Sequence, residues 1–219
     1  MDTADHTGPA PRLGLRELKK QRTRDALLHA ALELFTSQGY ERTTVDEITE
    51  AVDVSQRTFF RYFAGKEEAA LFTQRLTESH FVAAVRERPP HEAPLEVLRR
   101  SVLESWDTIG EAIEAVIPIE LHMRTLRLIE STPALLAVNL RRSAELEEEI
   151  AQVIAEREGL DLDADPRPRV AVAAFSGVMR VTSRLWGQGE DIGVEGIREL
   201  TASYLSHVGP ALAETWRRE

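Results

Sequence analysis

Cysteine is absent from the 219 residues, which excludes disulfides and thiolate metal sites. Lysine occurs only as Lys19, Lys20 and Lys66. No apolar run approaches the ~18 residues that a membrane helix needs. The opening MDTADHTGPAPRLG has no apolar segment of the kind a secretory signal carries. These absences fit a reducing cytoplasm. The six histidines (His6, His29, His80, His91, His122, His207) are scattered without metal-ligand spacing. Neither a Gly-rich phosphate loop nor an H-E-x-x-H pair is present. Neither a metal nor a cofactor is expected, and no catalytic residue is assigned; an enzyme finds little support.

Aromatic residues are also scarce, 13 in all, yet four of them (Phe59, Phe60, Tyr62, Phe63) fall within five positions of VDVSQRTFFRYFAGKEE. Arg57, Arg61 and Lys66 are threaded among them. The net charge of −10 hides a split. Residues 12–66 carry ten basic and eight acidic side chains; residues 67–219 carry 17 and 27. From Arg12 to Arg24 there are six basic residues and one acid. Such asymmetry is a cue for a basic contact surface at one end.

Hydrophobic spacing reads as all-α, with about nine helices and no sustained period-2 run. Residues 1–14 read as a flexible tail broken by Gly and Pro. Residues 15–66 form a small front unit, and 67–219 a larger helical body. In the front unit Leu27, Leu28, Ala31, Leu34 and Phe35 share one face of the first helix, which Gly39 closes. Thr44 caps a second helix and Ser55 a third. A long helix is expected from Lys66. Later helices are expected at about 94–109, 111–130, 134–158, 167–187 and 193–216, with Gly110 as one break.

On a helical wheel Phe59 and Phe63 of the third helix point inward, and Arg57 and Arg61 point outward. Two like charges at i, i+4 repel unless something negative faces them. The helix–turn–helix layout supplies a reason: the second helix of that motif enters the major groove. The alternative is a short amphipathic helix whose arginines are only solvated.

The run TTVDEITEAVDVSQRTFFRYFAGKEEA resembles the DNA-binding signature of the tetracycline-repressor (TetR) family of bacterial regulators. The resemblance covers about 55 residues, from Leu15 into the helix after Lys66. Three positions depart from the usual pattern. Asp53 stands where a turn glycine is common, Thr49 replaces a small Ala, and Phe60 replaces a Tyr. The resemblance implies a phosphate contact for Thr44 and places Ser55, Gln56, Arg57 and Thr58 at the reading end. It implies that Phe60 meets sugar or a thymine methyl, and that Arg61, Tyr62 and Lys66 hold the DNA backbone.

It also implies a ligand-responsive, homodimeric transcriptional regulator, a repressor released from a palindromic operator by a small lipophilic or amphipathic effector. The segments 167–187 and 193–216 are apolar enough to pair with their copies, or to close a monomeric core. Pro118, expected in mid-helix, would kink its helix and leave room for a pocket. Trp106, Ile117, Leu121, His122, Arg127, Phe175, Met179 and Trp186 are the candidate ligand contacts; ordinary core packing is the competing reading. The kinked helix is expected to push the helix beginning at Lys66. The acidic ELEEE (145–149) reads as a solvated face. Two rivals stay open: a ligand-independent architectural DNA binder, and a regulator whose body binds a protein.

Overall fold

The computed structural model describes residues 14–189 and 193–209, and these form ten helices. The expected tail and the end of the last expected segment, with Trp216, lie outside the described residues.

Helix α1 (Leu15–Gln38) buries Leu27, Leu28, Ala31, Leu32 and Phe35, while its first two turns stay exposed. Gly39 ends it at φ 94°, a value that favours glycine. Helix α2 (Val45–Glu50) starts with a capping box. The Thr44 hydroxyl accepts from the Glu47 N–H, and the Glu47 carboxylate accepts from the Thr44 N–H. These bonds hold the Glu47 carboxyl below its ordinary range. The turn to α3 (Gln56–Phe60) passes through Asp53 at φ 52°, so this departure from glycine is accommodated in the left-handed region. Phe59 and Phe63 are fully buried, with ring centroids 5.4 Å apart. They pack in one core with Leu28, Leu32, Phe35, Tyr40 and Ile48.

The long helix expected from Lys66 is instead two, α4 (Lys66–Ala70) and α5 (Phe72–Glu87), broken at Leu71. Ala69, Ala70 and Leu71 are all buried. Three consecutive residues cannot share one face of a straight helix; the break turns all three inward.

Two further expectations fail around Gly110. Helix α6 (Pro94–Glu114) runs straight through it. A mid-helix glycine costs only about 1 kcal/mol, and the flanking Ile109 and Ile113 are both buried. Pro118 does not kink a continuous helix; it is the N-cap of α7 (Ile119–Ser131). A proline at the start of a helix sacrifices no intrahelical bond. Helices α8 (Pro133–Glu158), α9 (Arg167–Gln188) and α10 (Val194–Ser206) complete the body. Gly159, left-handed at φ 66°, closes α8.

The acidic run on α8 is not merely solvated. Glu147 pairs with Arg180, Glu148 with Arg169, Glu149 with Arg86 and Glu145 with Arg142. Three of these partners lie on α5 and α9, so the run ties α8 to its neighbours.

The core has three parts. The first joins the front unit to the body, because Ile113, Ile117, Leu121 and Ile129 pack with Leu28, Phe35 and Phe59. The second fills the body between α5, α6, α8 and α9; the third is Met123, Trp186 and Ile197. Trp106 packs against all three.

Candidate nucleic-acid interface and effector cavity

Helix α3 is held at its N-terminal end. The Ser55 hydroxyl accepts from the Thr58 N–H at 3.3 Å and lies 3.1 Å from the Thr58 hydroxyl. Gln56 donates its amide to Asp46 on α2, which fixes the angle between the two helices. Outward from this frame stands Arg57, exposed and with no side-chain hydrogen bond among the described residues. Phe60 is 53% exposed, an apolar ring on a polar face. Arg61 donates to the Tyr62 hydroxyl at 3.2 Å and lies over that ring at 4.9 Å. Thr44 is exposed at the start of α2. Tyr62 borders a shallow depression together with Glu17, Lys20, Gln21 and Arg24 of α1. Thus the basic stretch of α1 adjoins α3.

Lys66 is the exception. Its ammonium donates to the Tyr40 carbonyl at 3.0 Å and the Thr43 carbonyl at 2.7 Å, and sits 4.6 Å from the centre of the Tyr40 ring. This charge is engaged inside the fold, tying α4 to the α1–α2 corner, and the geometry gives no support to a phosphate role. The corner residues Tyr40 and Thr43, and the brace Asp46, escaped sequence reasoning. Only the Thr44-x-x-Glu47 box had a readable signature.

The body contains a cavity of about 570 Å³. Trp106, Phe175, Met179 and Trp186 line it, as expected, and Phe81 stacks on Phe175 at 5.5 Å. Four expected contacts lie elsewhere. Ile117 and Leu121 point into the first core, toward the front unit. Arg127 donates to the Gly187 carbonyl at 3.0 Å and to the Gly189 carbonyl, holding the end of α9. His122 is buried away from the cavity, and burial lowers its pKa from 6.5 to about 4, so the ring is neutral. A physical reason is common to the three on α7, Leu121, His122 and Arg127. The break at Pro118 resets the helical phase of α7, so its cavity face is Leu126, Ile129 and Glu130.

Polar lining residues were also missed: Glu78, Ser105 and Asn139. Burial raises the Glu78 carboxyl while Arg142, at 3.3 Å, lowers it, and burial wins. Glu130 is likewise raised by burial. Their signal was available in principle, as single polar residues on otherwise apolar helical faces.

A three-helix head with an outward, basic α3, carried on a helical body, defines a helix-turn-helix transcriptional regulator rather than an enzyme. Comparison with known proteins agrees. Residues 27–71 match the description "Bacterial regulatory proteins, tetR family", and residues 92–212 match "MftR C-terminal domain". The HTH-type transcriptional regulator TcmR of Streptomyces glaucescens is 44% identical, with the alignment covering 100% of this chain and 99% of that protein. The chain belongs to the tetR family of bacterial regulators. Two solved structures share the fold. The fatty acid degradation regulator FadR of Bacillus halodurans superposes with a TM-score of 0.55 at 16% identity, covering 94% of this chain and 100% of that one. NalD, the secondary repressor of the MexAB-OprM efflux pump of Pseudomonas aeruginosa, gives 0.53 at 18% identity, covering 86% and 96%. Among the described residues, no helix is long and apolar enough to cross a membrane, and no cluster could hold a metal ion.

Proposed function

We propose that this regulator is a cytoplasmic repressor. It binds a palindromic operator as a homodimer and leaves it when a small lipophilic or amphipathic effector fills the body cavity. The observation that carries this reading is the cavity itself. A ligand-independent architectural binder needs no hollow, whereas this body holds about 570 Å³ lined by Trp106, Phe175, Met179 and Trp186. That is within the range of drug-sized sites. Arg57 reads bases; Thr44, Ser55, Gln56, Thr58, Phe60, Arg61 and Tyr62 position the head.

Helices α9 and α10 form the dimer face in this reading. Val170, Leu185 and Tyr204 on them are large apolar residues left 64%, 39% and 39% exposed. Val178 and Val208, by contrast, pack against their own core. The test is fluorescence anisotropy on an operator recovered by in vitro selection, with and without effector candidates. Half-sites related by two-fold symmetry are expected, with log K falling linearly in log salt. An asymmetric site bound by one chain, or a salt-independent isotherm, would refute the proposal.

A further inference from the structure

Most charges that border the cavity are matched. Glu78 pairs with Arg142 at 3.3 Å, and Glu147 with Arg180. Glu130 on α7 and Arg184 on α9 also line the wall, and neither has an ion pair among the described residues. The two differ in their access to water. Arg184 is exposed, so its charge stays hydrated and screened. Glu130 is half-buried, and burial raises its carboxyl despite the field of Arg184. It faces the cavity but is poorly served by solvent.

The fold adds to this imbalance. Glu130 stands in the last turn of α7, where the helix end carries partial negative charge and disfavours a carboxylate. It packs so closely on α9 that a Cβ at Gly187 would come within 3.3 Å of its own Cβ. Arg127, one turn earlier, is committed elsewhere, because its guanidinium holds the Gly187 and Gly189 carbonyls. A half-buried carboxylate gains more from a counter-ion than a hydrated guanidinium does, since Coulomb energy grows as the effective dielectric falls. The neighbouring wall is apolar, with Leu126 and Ile129 on the same helix, and the stacked Phe81 and Phe175 complete the lining.

We propose that the cavity takes an amphipathic organic cation, whose ammonium group pairs with Glu130 and whose apolar body lies against Leu126, Ile129, Phe81 and Phe175. This rests on reading the cavity as the effector site, and it makes Glu130 the residue that sets the charge preference of that site.

Three probes share one apolar chain and differ in the head: octylamine, a cation at neutral pH; octanol, uncharged; and octanoate, an anion. Isothermal titration of the full chain, below the micelle concentration of each, compares them. Octylamine is expected to bind roughly tenfold or more above octanol, the worth of a charge-assisted hydrogen bond, with octanoate weakest. Glu130→Gln keeps the shape and removes the charge. It should weaken octylamine about tenfold or more and leave octanol within about twofold, a split that a merely structural role would not give. The variant loses a half-buried unpaired charge, so it should melt no lower than the wild type. Glu120→Gln is the control: it changes the net charge equally, on the exposed first turn of the same helix, but does not line the cavity. It should leave all three affinities unchanged. Arg184→Gln removes the competing cation and should strengthen octylamine rather than weaken it. Octanol or octanoate binding as tightly as octylamine, no binding of any probe, an undiminished preference for octylamine in Glu130→Gln, or an equal loss in Glu120→Gln would overturn the proposal. Octylamine that binds through Glu130 yet leaves operator affinity unchanged would instead overturn the effector-site reading.

Discussion

Arg124 on α7 donates to Glu33 on α1 at 2.9 Å, spanning from the body to the reading head. The same short helix puts Leu126, Ile129 and Glu130 on the cavity wall and Leu121 in the core shared with the head. One short element therefore touches both the cavity and the core shared with the head, with Ile129 in both, and α7 rather than a kinked helix is the candidate lever. Both side chains of the pair are more than 40% exposed, so Arg124→Ala should change stability by less than about 1 kcal/mol. Its expected effect is on coupling. The effector should loosen operator binding less in the variant, and by linkage operator DNA should weaken the effector less by the same factor. Paired titrations with and without the second ligand measure both sides of this cycle. An unchanged coupling factor would remove Arg124 from the pathway.

Arg57 and Lys66 carry the same charge nine residues apart and should behave in opposite ways. Arg57 is unpaired and outward, so Arg57→Ala should cost about 1–3 kcal/mol per half-site and relax preference at one base pair. Thermal stability should be unaffected. Lys66→Ala removes the donor shared by the Tyr40 and Thr43 carbonyls. It should cost about 1–3 kcal/mol of folding free energy, read by urea denaturation. Equal stability of Lys66→Ala and the wild type would return this lysine to the DNA.

At Asp53 the backbone sits at φ 52°. A left-handed residue with a side chain is strained by roughly 1–2 kcal/mol, less for Asp than for most. Asp53→Gly should therefore be neutral to stabilising, by up to about 1 kcal/mol, and Asp53→Ala should be destabilising. Melting temperatures of the pair give the order. Ala above Gly would contradict the assigned conformation.

The reading head was legible in the sequence because its signals are local. Caps, a four-ring cluster and outward arginines act within a few residues, and each landed where the spacing placed it. The partners of Lys66 were not legible because they lie 26 and 23 residues upstream, beyond any periodic pattern. In the body the helices were legible, but the phase of α7 was not. A proline in an apolar run signals a break or a kink with equal force, and here the break moved His122 and Leu121 off the cavity. The four residues that were correctly placed there, Trp106, Phe175, Met179 and Trp186, all lie outside α7.

The last prediction concerns acid. His122 is 1% exposed, its Nδ1 has no partner among the described residues, and burial lowers its pKa from 6.5 to about 4. The unfolded chain then binds a proton between these values that the folded chain refuses. Stability rises with pH wherever the unfolded state holds more protons. The contribution of His122 is therefore full above about pH 7 and is lost as pH falls through 6.5 toward 4. Converting the shift at 1.36 kcal/mol per unit gives ~3 kcal/mol across that window. Glu78 and Glu130 act in the opposite sense, because burial raises their carboxyls and folding then favours the protonated form as pH falls. The wild-type slope is thus a partial cancellation, and the variant has to be compared with it point by point. His122→Leu should lose the histidine term and keep the carboxyl terms. Urea denaturation from pH 7.5 to 4.5 should show the two curves converging as pH falls, with the variant less stable relative to wild type at the neutral end than at the acid end. Parallel curves would mean that the imidazole titrates normally and is reached by water.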